Sequence, residues 1–487
     1  MNGHHTISRN IAERIHISGR LDLLTPAHFG NGEVRGDALV DMTLLLDEVD
    51  RIALIPGTTI AGALRSYLRE RLYGFGAREP DQKNSPVTRL FGPLRTGTRA
   101  VDQSLLIVDD ALALTEGTTL RDGVCIDPLS ATAFPKRKFD IELLEAGTAF
   151  DLHFELLVKT DETQSLLPFV AAALSGLEYE EIRLGARKTR GFGQCKVSGW
   201  TVSRYRLKDP HDLMLWLATP THQHRKDASY GPIAVALADI IPVADRRSTA
   251  TLTATFTLEG SSMLIRSGFG EADSGPDMEH LHASHVDGSR WPVIPGTTWA
   301  GVLRHRALRI ARTLATDAGT SLENANKLVD DMFGIMPKDN DGGQASRITV
   351  DESRIDGGQS LYQTRVRIDR FTGGAFEGAL YEQAPVYGST GANVQLRLKL
   401  SNPQGYEIGM LILLLKDLWT GDLTVGGEAS VGRGHLTGIN ATLQHSSKIL
   451  LEDGAPSLGL SAEDQKALKG FVAELSARLG WMKGAGQ

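Results

Sequence analysis

Residues 55–65 read Ile-Pro-Gly-Thr-Thr-Ile-Ala-Gly-Ala-Leu-Arg, and residues 294–304 read Ile-Pro-Gly-Thr-Thr-Trp-Ala-Gly-Val-Leu-Arg. The two stretches differ only where Ile60 and Ala63 give way to Trp299 and Val302. In each, Pro-Gly predicts a turn, Thr58 or Thr297 is placed to cap a helix, and apolar residues then recur at helical spacing. Ile60, Leu64, Tyr67 and Leu68 share one face of the first helix, with Gly74 as its stop; Trp299, Leu303, Ile310 and Leu314 share one face of the second. A helix N-terminus left uncovered behind a glycine turn can bind phosphate through free N–H groups and the helix dipole. A capped structural helix is the other reading.

Working outward, the order of signals repeats. Residues 14–24 alternate as a first strand, and a polar loop over 25–50 leads to the motif. Leu-Phe-Gly at 90–92 and a strand at 104–109 follow the first helix; Phe-Gly at 333–334 and a strand at 346–351 follow the second. Val-Cys-Ile-Asp at 124–127 matches Val-Arg-Ile-Asp at 366–369, and Ala-Phe at 133–134 matches Ala-Phe at 375–376. Strands at 149–158 and 394–400, each with a helix after it, lead to glycine-rich turns at 185–193 and 427–434. Collinear markers at offsets of 239 to 242 residues predict a tandem duplication of a whole domain, over 12–205 and 248–441. The expected fold class is α+β, a tandem of ferredoxin-like or RNA-recognition-type (RRM-like) sandwiches with long insertions. Residues 206–247 form a linker with a short helix at 212–217, and 442–487 a helical tail that packs on the second unit.

The chain has 487 residues, 41% hydrophobic and 23% charged, an ordinary globular composition. No apolar run reaches the roughly 18 residues of a membrane helix, and the N-terminus lacks signal-peptide character, so no membrane partner and a cytoplasmic location are expected. Two cysteines, Cys125 and Cys195, build neither a disulfide framework nor a cysteine zinc site, and both are expected to be buried thiols. A net charge of −7 argues against indiscriminate nucleic-acid binding but leaves room for a local basic groove.

The helix start Pro-Gly-Thr-Thr-x-x-Gly-x-x-Arg, Leu-Phe-Gly after it, Ile-Asp-Arg-x-Thr-Gly-Gly-Ala at 368–375 and the closing glycine turn together resemble the RAMP superfamily. The nearest likeness is to backbone subunits of type III CRISPR effector complexes, here with two units fused as in type III-D and III-E systems. The resemblance implies an RNA-recognition-type palm, a β-hairpin thumb, and assembly with other effector subunits along a guide RNA (crRNA). It also implies cleavage of target RNA opposite each thumb, with a divalent metal, Mg or Mn, and an aspartate from the loop after the first strand. Asp41 matches that aspartate and would hold the metal; Asp37, Asp47, Glu48 and Asp50 are its loop neighbours. In the second unit the register slips, Asp277 and Glu279 lying near the expected place and His280 nearer by counting.

Guide contacts are expected from Thr58 and Thr297, from Arg65 and Arg304 one turn into each helix, and from Lys188 and Arg190 beside Arg183 and Arg187. Arg433 is the only cation of the second turn, which is therefore expected to contact RNA more weakly, through Arg433 or backbone N–H groups. Thumb candidates are 127–139, with Phe134, Lys136 and Arg137, and 369–381, with Arg370 and Phe376. An exposed aromatic among cations suits a wedge between bases, while core packing is the alternative for both phenylalanines. His280, His282 and His285 could be a metal cluster or merely a polar loop. A scaffold that binds RNA without cutting remains the second reading, and Asp41 discriminates. A nucleotide-using metabolic enzyme is disfavoured, since neither turn is a Gly-x-x-x-x-Gly-Lys-Ser/Thr loop or a dinucleotide fingerprint.

Overall fold

The computed structural model describes residues 11–30, 40–79, 85–93, 103–115, 117–127, 132–159, 163–220, 223, 228–241, 243–268, 275–335, 343–445, 448–453 and 462–480. Asp37 lies outside them. In the first unit the strand Ile11–Leu23 runs antiparallel between Ala149–Lys159 and Cys195–Arg206. Leu106–Val108 and Ala111–Thr115 pair on the far side of Ala149–Lys159. Helices Gly57–Tyr73 and Thr163–Glu178 cover one face, so that the chain order strand, helix, two strands, helix, strand is that of a ferredoxin-like sandwich. The alternation predicted for the first strand is its burial: Ile15, Ile17, Leu21 and Leu23 point into the core.

The second unit repeats the plan. Thr249–Thr257 lies between Val386–Ser401 and Thr437–His445, with Ile348–Val350 and Ser353–Ser360 on the outer edge of Val386–Ser401. Gly296–Asp317 and Gly405–Trp419 are its two helices. Lys448–Asp453 extends the sheet beyond 441, and the helix Ala462–Arg478 buries Leu468 and Leu475 in the same core. Gly405 and Gly409 permit that approach, since a Cβ on Gly409 would meet the Phe471 carbonyl at 2.3 Å.

Each unit inserts a β-hairpin between its second and third sheet strands: Thr118–Ile126 with Ala133–Leu144, and Gln363–Ile368 with Ala375–Ala384. The hairpins explain one failed expectation. Cys195 is buried and its thiol is pushed up to about 12 by that burial, but Cys125 sits exposed on a hairpin strand.

The units touch along a continuous seam. Arg183 pairs with Asp351 and Arg121 with Glu352. Gly268 N donates to Asp122 Oδ1 at 3.0 Å and Ser284 Oγ to Glu145 Oε1 at 2.8 Å. The first glycine turn therefore rests on the start of the second unit's motif helix, where a Cβ on Gly296 would lie 2.4 Å from the Arg190 carbonyl.

Candidate functional site

The repeated motif holds its helix differently from what the threonines suggest. Pro56 and Pro295 are the N-caps, without side-chain cap bonds, and Thr58 and Thr297 stand exposed in the first turn. Gly57 and Gly296 press against an edge strand, a Cβ on either lying 2.2 Å from Val108 O or 2.5 Å from Val350 O. Neither N-terminus is open as an anion site. Gly57 N donates to Asp110 Oδ1 at 2.6 Å, and the second is covered by the turn carrying Arg190.

Arg65 and Arg304 are struts. Arg65 Nη1 donates to Gly92 O at 2.5 Å, and Arg304 Nη1 to Gly334 O at 2.6 Å, each carbonyl ending the short helix of the Phe-Gly marker. Arg65 also pairs with Glu79, and Arg304 with Asp330. The repeated spacing of helix start, arginine and Phe-Gly thus encodes a side-chain clamp on an orphaned helix C-terminus.

In the first glycine turn, Arg187 adopts the left-handed conformation at φ 53° and stacks on Phe139, its guanidinium 4.1 Å from the ring centroid. Lys188 is exposed. Arg190 Nη2 donates to Phe333 O at 3.4 Å, while Nη1 is buried with no hydrogen-bond partner among the described residues. Burial first, then the neighbouring Arg304 and Arg187, lowers its pKa. Three guanidiniums thus converge where the units meet.

Arg433 has the opposite fate. It is 2% exposed, hydrogen-bonded to Gln363 and Gln383 and ion-paired with Glu428, so the expected RNA contact does not fit it. The thumbs, by contrast, stand out. Phe134 is 40% and Phe376 52% exposed, which removes core packing as their role. Lys136, Arg137 and Arg370 are exposed on the same hairpins, Lys136 at φ 58°, and Arg367 lies 5.3 Å from the Phe376 ring centroid. Phe371, at 95% exposure in the second hairpin's turn, is a further wedge candidate.

The aspartates fall into register. Asp41 Oδ2 accepts from the Asp140 amide at 2.9 Å, and Asp277 Oδ2 from the Glu382 amide at 2.8 Å. Positions 140 and 382 are 242 apart, the offset of the surrounding markers. The next residues, Met42 and Met278, bridge in parallel to Ile141 and Gln383. Both aspartates are exposed beside the root of a hairpin. The sequence signal that would have fixed the register is the dipeptide Asp-Met, present in both loops.

The histidines do not form a metal centre. His280 is buried with Nε2 3.0 Å from Val293 O, His282 Nδ1 lies 2.8 Å from His280 O, and His285 faces Asp287 at 3.5 Å. Among the described residues no three His, Cys, Asp or Glu are grouped to hold a metal. A lone exposed carboxylate at Asp41 or Asp277 fits a hard divalent ion that takes its remaining oxygens from phosphate and water.

A family model of the RAMP superfamily matches residues 20–196 and 255–437. Three curated relatives are each described as "CRISPR system Cms endoribonuclease Csm3". The protein of Enterococcus italicus is 30% identical over 200 residues, 38% of this chain and 89% of its own. Those of Mycobacterium tuberculosis and Streptococcus thermophilus are 28% and 26% identical, over 38% and 41% of this chain and 86% and 96% of their own. Each relative thus spans about the length of one unit. Among the described residues no helix is long and apolar enough to cross a membrane.

Proposed function

This chain belongs to the RAMP superfamily, and from that premise we propose that it is a fused backbone subunit of a type III CRISPR effector that holds guide RNA and cuts target RNA at two places. The observation that carries the proposal is the paired placement of Asp41 and Asp277 on the amides of Asp140 and Glu382. The endoribonuclease description of the relatives supports the reading.

Each hairpin would interrupt the guide–target duplex, Phe134 or Phe376 wedging between bases and Lys136, Arg137 or Arg370 neutralising phosphate. The splayed strand leaves one 2′-hydroxyl free to align with its own phosphorus. The aspartate, fixed by the hydrogen bond it accepts from a backbone amide, orients that hydroxyl and holds negative charge at the spot. A Mg or Mn ion, when bound there, supplies electrostatic stabilisation of the phosphate. Guide phosphates would meet the first turn, at Lys188 and at Arg190, whose buried Nη1 lacks a partner among the described residues. The exposed Thr58 and Thr297 hydroxyls can add neutral contacts.

The test is cleavage of labelled target by the complex purified with its neighbouring subunits. Binding is spread over many phosphates, so Asp41→Ala and Asp277→Ala should leave guide and target bound while each removes one product, lowering its rate by two orders of magnitude or more, about 3 kcal/mol. Persistence of both products in the double variant would mean that another carboxylate of the loop, Asp37 or Asp47, carries the role, or that this chain is a scaffold and another subunit cuts.

A further inference from the structure

The two candidate sites share a backbone frame but are held by different chemistry. In the first unit Met42, Ile141, Leu143 and Phe192 form a small apolar cluster between aspartate loop, hairpin and glycine turn. Phe192 stands between Gly191 and Gly193; between Gly432 and Gly434 stands Arg433. Ile141 follows Asp140, as Gln383 follows Glu382. Arg187 and Glu428 both open a 3-10 turn in the left-handed conformation, at φ 53° and 61°. At these three positions Phe, Ile and Arg have become Arg, Gln and Glu.

The replacements form one network around the buried Arg433 and Gln383. Arg433 Nη2 donates to Gln363 Oε1 at 2.8 Å and to Gln383 Oε1 at 3.0 Å. Its Nη1 lies 2.9 Å from Glu428 Oε2, and Gln383 Nε2 donates to Glu428 Oε1 at 2.6 Å. That same Nε2 is 3.4 Å from Met278 Sδ. The line from glycine turn to aspartate loop is therefore continuous, because Met278 follows Asp277 and pairs with Gln383. Gln383 is 0% exposed, so loss of the guanidinium strands its side-chain oxygen away from water, while the part-exposed Glu428 carboxylate loses its nearest cation.

Resting on the reading that Asp277 serves a cut, we propose that Arg433, with Gln383 and Glu428, is the positioning set of the second site. It fixes the strand Ala375–Ala384, and with it the Glu382 amide that anchors Asp277, without touching RNA itself. The first site obtains the same register from Phe192, Ile141 and Met42.

The experiment is single-turnover cleavage at saturating target, using the full-length protein in its complex. Arg433→Ala should lower the rate of the second product about 10- to 100-fold, the scale of a misplaced catalytic group. The first product's rate and the affinity for target should not move. The combined variant Arg433→Phe, Gln383→Ile, Glu428→Arg installs the first unit's set and should restore the second product. It also guards against local unfolding, since hydrogen exchange over Met278–His280 reports whether that strand is in place. Asp277→Ala serves as the control: if it leaves the second product intact, the functional reading itself fails. If it removes that product while Arg433→Ala leaves the rate unchanged, the positioning set is refuted alone. A combined variant that keeps the strand protected yet stays inactive would refute it as well.

Discussion

His280, only 1% exposed, ties three segments of the second unit together. Its Nδ1 lies 3.2 Å from both the Ile265 amide nitrogen and Met263 O, and its Nε2 lies 3.0 Å from Val293 O. Burial, opposed by the bond to Val293, holds its pKa down to about 4, against 6.5 for a free imidazole. Between those values the unfolded chain binds a proton that the folded chain does not. The stabilisation is complete above pH 6.5 and is lost as pH falls toward 4. From pH 7.5 to 5 this one group should cost about 2 kcal/mol. Urea melts of wild type and His280→Asn at the two pH values test it: the variant should be less stable at pH 7.5 and show a shallower fall. Parallel falls would mean other groups carry the acid sensitivity.

At the scale of elements, the two glycine turns look alike and do different work. In the first, Lys188 is exposed and Arg190 half-buried, its Nη1 without a partner among the described residues. Changing both to Ala should weaken RNA retention and make the slope of log K against log salt shallower by about one to two, whatever the guide sequence. An unaltered slope would make them surface charges. In the second turn the cation is internal, so Arg433→Ala should not change that slope. Only part of this was legible in the sequence. Motif helices and palm strands follow from apolar periodicity, the duplication from the repeated Ile-Asp and Ala-Phe markers, and the hairpins only from the resemblance those markers carry. The partners of Arg433 could not be read, because Gln363 and Gln383 lie 70 and 50 residues away and meet it only across a hairpin. Counting also misplaced the second aspartate. Asp277 stands 17 residues before Ile294 where Asp41 stands 14 before Ile55, and the extra length is absorbed in the loop while pairing to the hairpin is kept. Thr58 and Thr297 misled because Pro supplies the cap position and, in the first unit, a distant Asp110 the acceptor.

For the whole molecule, fusion turns what would be an association into a built seam, and Gly191 shows how close that seam is. It sits at φ 92°, and a Cβ there would lie 2.8 Å from the Glu352 amide nitrogen. Arg183–Asp351 and Arg121–Glu352 flank the same spot, so the first turn, the first hairpin and the second unit's edge are drawn to one point. A side chain at 191 must meet both a left-handed backbone, at about 1–2 kcal/mol, and overpacking against backbone, at about 1–3 kcal/mol. The cheapest relief is separation of the units, since each has its own core. Gly191→Val should therefore raise amide exchange at 351–352 and around 188–190, leave exchange in both central strands unchanged, and reduce RNA retention, because the turn that presents Lys188 and Arg190 is displaced. Its cleavage products should keep their identity, since each aspartate is anchored within its own unit at 2.9 and 2.8 Å. If exchange at the seam stays at the wild-type level, the turn is not what joins the units. Loss of both products with the seam intact would mean instead that the turn acts on the sites directly.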